Sequence, residues 1–250
     1  MEKKLNRVFI VIIALVAAAA GYFLRALQLS TMIDASGKLL ANAGNSPITW
    51  LSIVFAVAAA VYSFLLQKRT RLPQEHTKLT ATGAMALGVA AAFLSAMGGV
   101  ASWQTDLSVA LCAMVTAICW VVIALQLQQG IVPSPVSYIV AALAFAADLI
   151  FKFRLWSLDP QIMDYCFDLF FGISIMCAVF HLGGFSFGKG SRRRAVFFCL
   201  CGVFFGAVSM AGKELPQLVI TLGGVIWMLG GLWLMLAPEM AEAEDTAEKE

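Results

Sequence analysis

Eight long apolar runs constrain this chain more than any other feature. They cover roughly residues 8–27, 48–67, 81–101, 107–127, 136–153, 165–185, 195–212 and 217–237. A helix needs about 20 mostly apolar residues, within a range of about 17 to 25, to cross the hydrocarbon of a bilayer. The runs lack the apolar–polar alternation, in segments of about ten residues, that a transmembrane barrel would show. A helix also satisfies its own backbone groups in lipid. The expected fold is therefore all-α: a polytopic integral membrane protein with eight transmembrane helices. Composition agrees, since 61% of the residues are hydrophobic and 13% are charged, against about 25% charged in soluble domains. That balance excludes a soluble enzyme, a disordered chain and a nucleic-acid binder. The first expected partner is the lipid bilayer.

Basic residues orient the runs, because cytoplasmic loops carry an excess of Lys and Arg. With the N-terminus in the cytoplasm, that side holds Lys3, Lys4, Arg7, Lys68, Arg69, Arg71, Lys78, Lys189, Arg192, Arg193, Arg194 and Lys249. The outer side holds Arg25, Lys38, Lys152, Arg154 and Lys213. The division is 12 against 5 of the 17 basic residues. Eight spans return the C-terminus to the starting side, so both termini are expected in the cytoplasm of a cell with an inner membrane. Aromatic belts fit this placement: Tyr22, Trp50, Trp103, Trp156 and Tyr165 fall near the outer boundary, and Tyr62, Tyr138 and Trp233 near the inner one. One rival concerns the first run. Lys3-Lys4, an apolar stretch and Ala18-Ala19-Ala20-Gly21 resemble a signal peptide with a small-residue cleavage site. The stretch continues through Tyr22-Phe23-Leu24, which favours a retained anchor.

The chain divides into a first four-helix half (1–127), a second (128–237) and an acidic cytoplasmic tail (238–250) that reads as solvated and disordered. The outer loop 28–47 carries turn signals at Asp34–Gly37 and Gly44–Pro47. The halves echo each other. Gly88-Val89, Ser95 and Gly98 in the third run recur at the same offsets as Gly202-Val203, Ser209 and Gly212 in the seventh. Duplication of a four-helix unit would make a parallel repeat. Chance is the competing account, since these residue types are common in spans.

Catalytic motifs are absent. There is no G-x-S-x-G elbow, no P-loop and no zinc-protease motif. Only two histidines occur, His76 and His181. The reading is therefore not an enzyme, with no cofactor and no metal site. Gly183-Gly184-Phe185-Ser186 reads as a helix end rather than a nucleophile, with no base near it in sequence. The six cysteines lie in predicted spans without a C-x-x-C pair and read as small apolar packers, with Cys112 and Cys166 the two placed for an outer disulfide. Stripes of small residues let helix backbones approach where lipid gives no hydrophobic drive. They run through Ala84, Gly88, Ala92 and Ala96, through Gly202 and Gly206, and through Gly223, Gly224, Gly230 and Gly231. Packing within the bundle is the first reading of them and a homo-oligomer contact the second.

Charges near the outer ends of the runs are the sharpest signal. Asp148 and Lys152 lie four apart and share a helix face. Asp164 and Asp168 repeat that spacing, Arg154 ends the fifth run and Arg25 the first. A charge within a span costs about 2.5–3.5 kcal/mol by insertion scales, and usually pairs or lines a cavity. The expected site is a cluster of Asp148, Lys152, Arg154, Asp168 and Arg25, open to the outside. Its structural reading is an internal Asp148–Lys152 pair with the remainder reaching to the interface. Its functional reading is a site for a small solute or ion, with carboxylates coupling protons or cations. A third reading is an unrecognised intramembrane enzyme. His181, nearer the cytoplasm, is either a packing residue or a proton relay. Lys189 and Arg192–Arg194 set topology first, and would also touch anionic lipid. The function expected on this basis is a small transporter- or permease-like protein of the inner membrane. The alternative is a non-transporting scaffold or an accessory or sensor subunit.

Overall fold

The computed structural model describes residues 2–32, 39, 44–66, 78–156 and 165–236, with the side chains of 2–6 and 78–81 outside that set. The turn signals at 34–37, Asp164, His76 and the acidic tail lie outside it. Among the described residues there are eight helices and no strand: α1 (Glu2–Thr31), α2 (Pro47–Leu65), α3 (Lys78–Ser102), α4 (Leu107–Gln128), α5 (Pro135–Trp156), α6 (Cys166–Ser186), α7 (Arg192–Ser209) and α8 (Leu215–Met235). Local chemistry sets several starts. Proline occupies the first turn of α2 and α8 and opens α5, where its missing N–H is not needed. The Asp106 carboxylate caps α4 by accepting from the Ser108 and Val109 N–H groups.

Seven of these helices are long and apolar enough to cross a membrane, and α7 is the exception. It has 18 residues and opens on three arginines. It is also the most enclosed helix. Ala195, Val196, Cys199, Val203, Phe204 and Val208 have no exposed surface, because α1, α2, α6 and α8 all pack on it. A helix shielded by protein need not be as apolar as one facing lipid. The lipid-like surface is supplied by others, with Phe9, Phe23, Phe64, Phe93 and Phe180 all exposed.

One end of the bundle is closed by arginine. Arg7 Nη2 donates to the Trp233 carbonyl at 2.5 Å and its guanidinium covers the Trp233 ring. Arg192 Nε donates to the Met235 carbonyl at 2.7 Å, and Arg193 Nε to the Leu66 carbonyl at 2.6 Å. These carbonyls belong to the last turns or caps of α8 and α2, where the helix leaves them unsatisfied and its dipole favours cations.

The tightest pair is α3 with α8. Ala84, Ala91 and Gly98 on α3 face Gly230, Gly223 and Pro216 on α8, each one heptad from the next and running in opposite directions. A Cβ on Gly223 would lie 2.9 Å from the Ala91 carbonyl oxygen and 2.6 Å from Ser95 Oγ. Of the small-residue stripe expected along 84, 88, 92 and 96, Ala84 and Gly88 meet α8, Gly88 through the Trp227 ring with Ala124 of α4 beside it, and the seam continues through Ala91 and Gly98. On its other side α8 meets α7, where Gly202 receives Met228 and Gly206 receives Val225. On α1 the buried positions 7, 14, 18, 21, 25 and 28 make one stripe, and Gly21 sits against Val208 and Phe204 of α7. Tyr138, expected in an interfacial belt, is instead a core residue packed on Gly183 and 3% exposed. Its ring fills space that the missing side chain leaves open.

Candidate functional site

The end opposite the arginines holds a cavity of about 470 Å³. The C-terminal ends of α1 and α5, the N-terminal ends of α4, α6 and α8, and the α7–α8 turn surround it. Four of the expected site residues, Asp148, Lys152, Asp168 and Arg25, line it together.

Two ion pairs organise its wall. Lys152 Nζ donates to Asp148 Oδ2 at 2.6 Å along α5, as the four-residue spacing requires. Asp168, in the first turn of α6, pairs with Lys213 from the α7–α8 turn. Gly212 makes that second pair reachable. Its φ of +83° is a backbone conformation that suits glycine, and it ends the extension of α7 one residue before Lys213. Lys213 Nζ also donates to Thr221 Oγ1 at 2.9 Å and Ser209 Oγ at 3.3 Å. Its side chain is only 11% exposed. Burial pushes the Lys213 ammonium below the usual lysine range, and the neighbouring Asp168 carboxylate opposes that shift.

Arg25 is buried at the same wall. Its Nη1 donates to Gln28 Oε1 at 2.6 Å, Gln28 Nε2 donates to Ser46 Oγ at 2.8 Å, and the guanidinium lies over Phe167. This relay ties the last turns of α1 to the start of α2 and holds the Arg25 charge in place. Asp106 joins the lining while serving as the α4 cap.

Towards the middle of the bundle the lining turns aromatic. Trp120 stacks on Trp227 at 5.1 Å between ring centroids, with Phe145 beside it. Among the described residues, Trp120 Nε1, Trp227 Nε1 and Ser95 Oγ are buried without a hydrogen-bond partner, and of these Trp120 and Ser95 line the cavity. Buried donors are normally satisfied, so this floor is equipped to donate to an acceptor on a bound molecule. The site is therefore amphipathic: charged near its mouth, aromatic with two donors at its base.

The remaining expected residues lie elsewhere. Arg154 is exposed and does not line the cavity; two residues beyond Lys152, it falls on another face of α5. His181 belongs to the arginine end, stacked on Phe198 and edge-on to Phe180. Cys112 and Cys166 are both free thiols, as are the other four cysteines. Among the described residues no group of three or more His, Cys, Asp or Glu is placed to hold a metal ion.

Sequence reasoning missed Lys213, Trp120 and Ser95 as site residues. Lys213 had a signal: it is a basic residue beside a glycine in a turn too short to carry it far from the bundle. Trp120 and Ser95 had none, because an indole or hydroxyl in a span reads the same whether it is satisfied or not.

Comparison of the chain with known protein families, with curated proteins and with solved structures gives no match.

Proposed function

We propose that this is a membrane protein that binds a small polar solute in the charged cavity and passes it across the bilayer, in the manner of a small permease. The observation that carries the reading is the convergence of Arg25, Asp148, Lys152, Asp168 and Lys213 on one cavity. Charges placed in apolar surroundings are costly and are characteristic of solute and ion pathways. Four of these charges form two ion pairs, so the cavity favours a solute that replaces a pair without leaving a bare charge, such as a zwitterion. Its aromatic base suits an apolar portion carrying one hydrogen-bond acceptor.

All eight helices cross the membrane in this proposal, α7 included. Support comes from the ends of α7, which are level with those of its neighbours: Arg192 and Arg193 meet the ends of α8 and α2, and Lys213 lies at the cavity. Both termini and the arginine end face the cytoplasm of an inner membrane, by the positive-inside rule. The division into tandem halves rests on the matched residues of α3 and α7. Both helices pack small residues on α8, which supplies a second physical reason for that match.

The test is reconstitution into liposomes and screening of amino acids, organic cations and organic anions for solute-driven currents. A current that Asp148→Asn and Asp168→Asn each abolish, with folding retained, supports the proposal. Absence of any current and of any ligand-induced thermal shift across the panel overturns it. A second reading, a non-transporting receptor or sensor subunit, is favoured by the Trp120–Trp227 stack at the base of the cavity. Binding without flux would select it.

A further inference from the structure

A second pocket, of about 630 Å³, opens at the arginine end between α2, α6 and α7. Lys189, Arg193 and Arg194 line it, with Ser191 at the start of α7. No carboxylate occurs among its described lining residues, in contrast to the paired charges of the cavity at the other end. We propose that this pocket binds a phosphate group, and that the phosphate is the headgroup of an anionic phospholipid.

Three features carry the proposal. The first is the N-terminus of α7. Its cap residue Ser191 makes no side-chain capping bond, so the cap does not satisfy the first N–H groups of this 18-residue helix, and the helix dipole favours an anion there. The second is Ser63, which lines the same pocket from α2, is 4% exposed, and has an Oγ with no hydrogen-bond partner among the described residues. A buried hydroxyl beside three cations is supplied with a partner by a phosphate oxygen. The third is the shape of the α6–α7 connection. Gly188 at φ +67° lets Lys189 N donate back to the Gly184 carbonyl at 3.0 Å, a helix-ending turn that brings Lys189 beside α7. Arg193 is held in register because its Nε donates to the Leu66 carbonyl and its guanidinium lies over Phe64. That bond uses one of five N–H donors and leaves the outer edge of the guanidinium for a ligand.

A free phosphate would meet the same polar groups. The apolar flank distinguishes the lipid. Ala60, Phe64 and Phe197 also line the pocket, and Phe64 is 72% exposed. A phospholipid places its headgroup among the cations and its acyl chains along those rings. Basic pockets between transmembrane helices bind such headgroups.

The test uses the full-length protein purified in detergent. Phosphatidylglycerol is expected to raise the thermal midpoint and to remain bound in native mass spectra. Phosphatidylcholine and inorganic phosphate are expected to do neither. The double variant Lys189→Gln/Arg194→Gln is expected to lower phosphatidylglycerol affinity by about tenfold or more, as two near-surface charges imply. Arg154→Gln, at the other end, is expected to leave it unchanged. Equal stabilisation by phosphatidylcholine, stabilisation by inorganic phosphate alone, or an unchanged affinity in the double variant each overturns the proposal. A photoactivatable phosphatidylglycerol applied to the unmodified protein needs no variant to fold. Crosslinks at residues 60–64 and 189–197 support the site, and crosslinks elsewhere alone overturn it.

Discussion

Lys213, in the turn before α8, forms its ion pair with Asp168 at the start of α6. Removing one partner of a mostly buried pair strands the other, whereas removing both does not. Lys213→Met and Asp168→Asn are each expected to cost about 2–3 kcal/mol, and the double variant less than either. Thermal unfolding of the three proteins in detergent measures the coupling. Strictly additive losses would show that the two side chains do not act as a pair.

Lys213 also sets a pH dependence. Its folded value lies below the ordinary 10.5, chiefly because burial disfavours the ammonium. Below that folded value the lysine is charged in both states and its burial cost is constant. Between the folded value and 10.5 the unfolded chain holds more protons, so the lysine's contribution to stability improves as pH rises. The thermal midpoint of the unmodified protein, relative to Lys213→Met, is expected to increase through this window. A difference that stays flat or falls across it would contradict the burial of the ammonium.

The helical class and most of the charged wall were legible from residue order. Apolar run length fixes helices in lipid, and a four-residue spacing places Asp148 and Lys152 on one face without further knowledge. The partner of Asp168 was not legible, because it comes from a turn 45 positions later in the sequence. Nor was the enclosed position of α7, since enclosure depends on which helices surround it. The same holds for Arg154 and Arg25. Each ends a run and reads alike, yet one is exposed and the other is buried at the cavity.

Cys112 lines the cavity, whereas Cys199 is fully buried in the core. A membrane-impermeant charged maleimide is therefore expected to label a variant retaining only Cys112, and to leave one retaining only Cys199 unmodified. In right-side-out vesicles labelling of Cys112 from the outer solution is expected as well. Peptide mass mapping after a timed exposure provides the readout. Labelling of Cys112 only after the protein is unfolded would mean that water does not reach the cavity.

Glycine substitutions separate close contacts from open ones. A Cβ on Gly223 meets the Ala91 carbonyl oxygen and Ser95 well inside contact distance, while one on Gly184 finds its nearest neighbour at 3.5 Å. Gly223→Ala is expected to destabilise by about 1–3 kcal/mol, since an inserted methyl forces backbones apart. Gly184→Ala is expected to be neutral or to stabilise by up to about 1 kcal/mol through helix propensity. Thermal midpoints and yields of the two variants decide this. Equal losses would place the α3–α8 contact elsewhere.

The heptad match between α3 and α8 works as a ratchet with a coarse pitch. Sliding either helix by one or two residues would bring side chains onto Gly223 and Gly98, where none fits. The next register that sets small residues against Gly230, Gly223 and Pro216 lies four residues away, through Gly88, Ser95 and Ser102, about 6 Å along the axis. A displacement of that size would carry a helix end out of the bundle, so α3 and α8 travel as a single strut. In the proposed permease, motion that opens or closes the cavity takes place outside this pair, and α5, which packs on α4 and α6 rather than on either strut helix, is the wall freest to move and carries Asp148 and Lys152 with it.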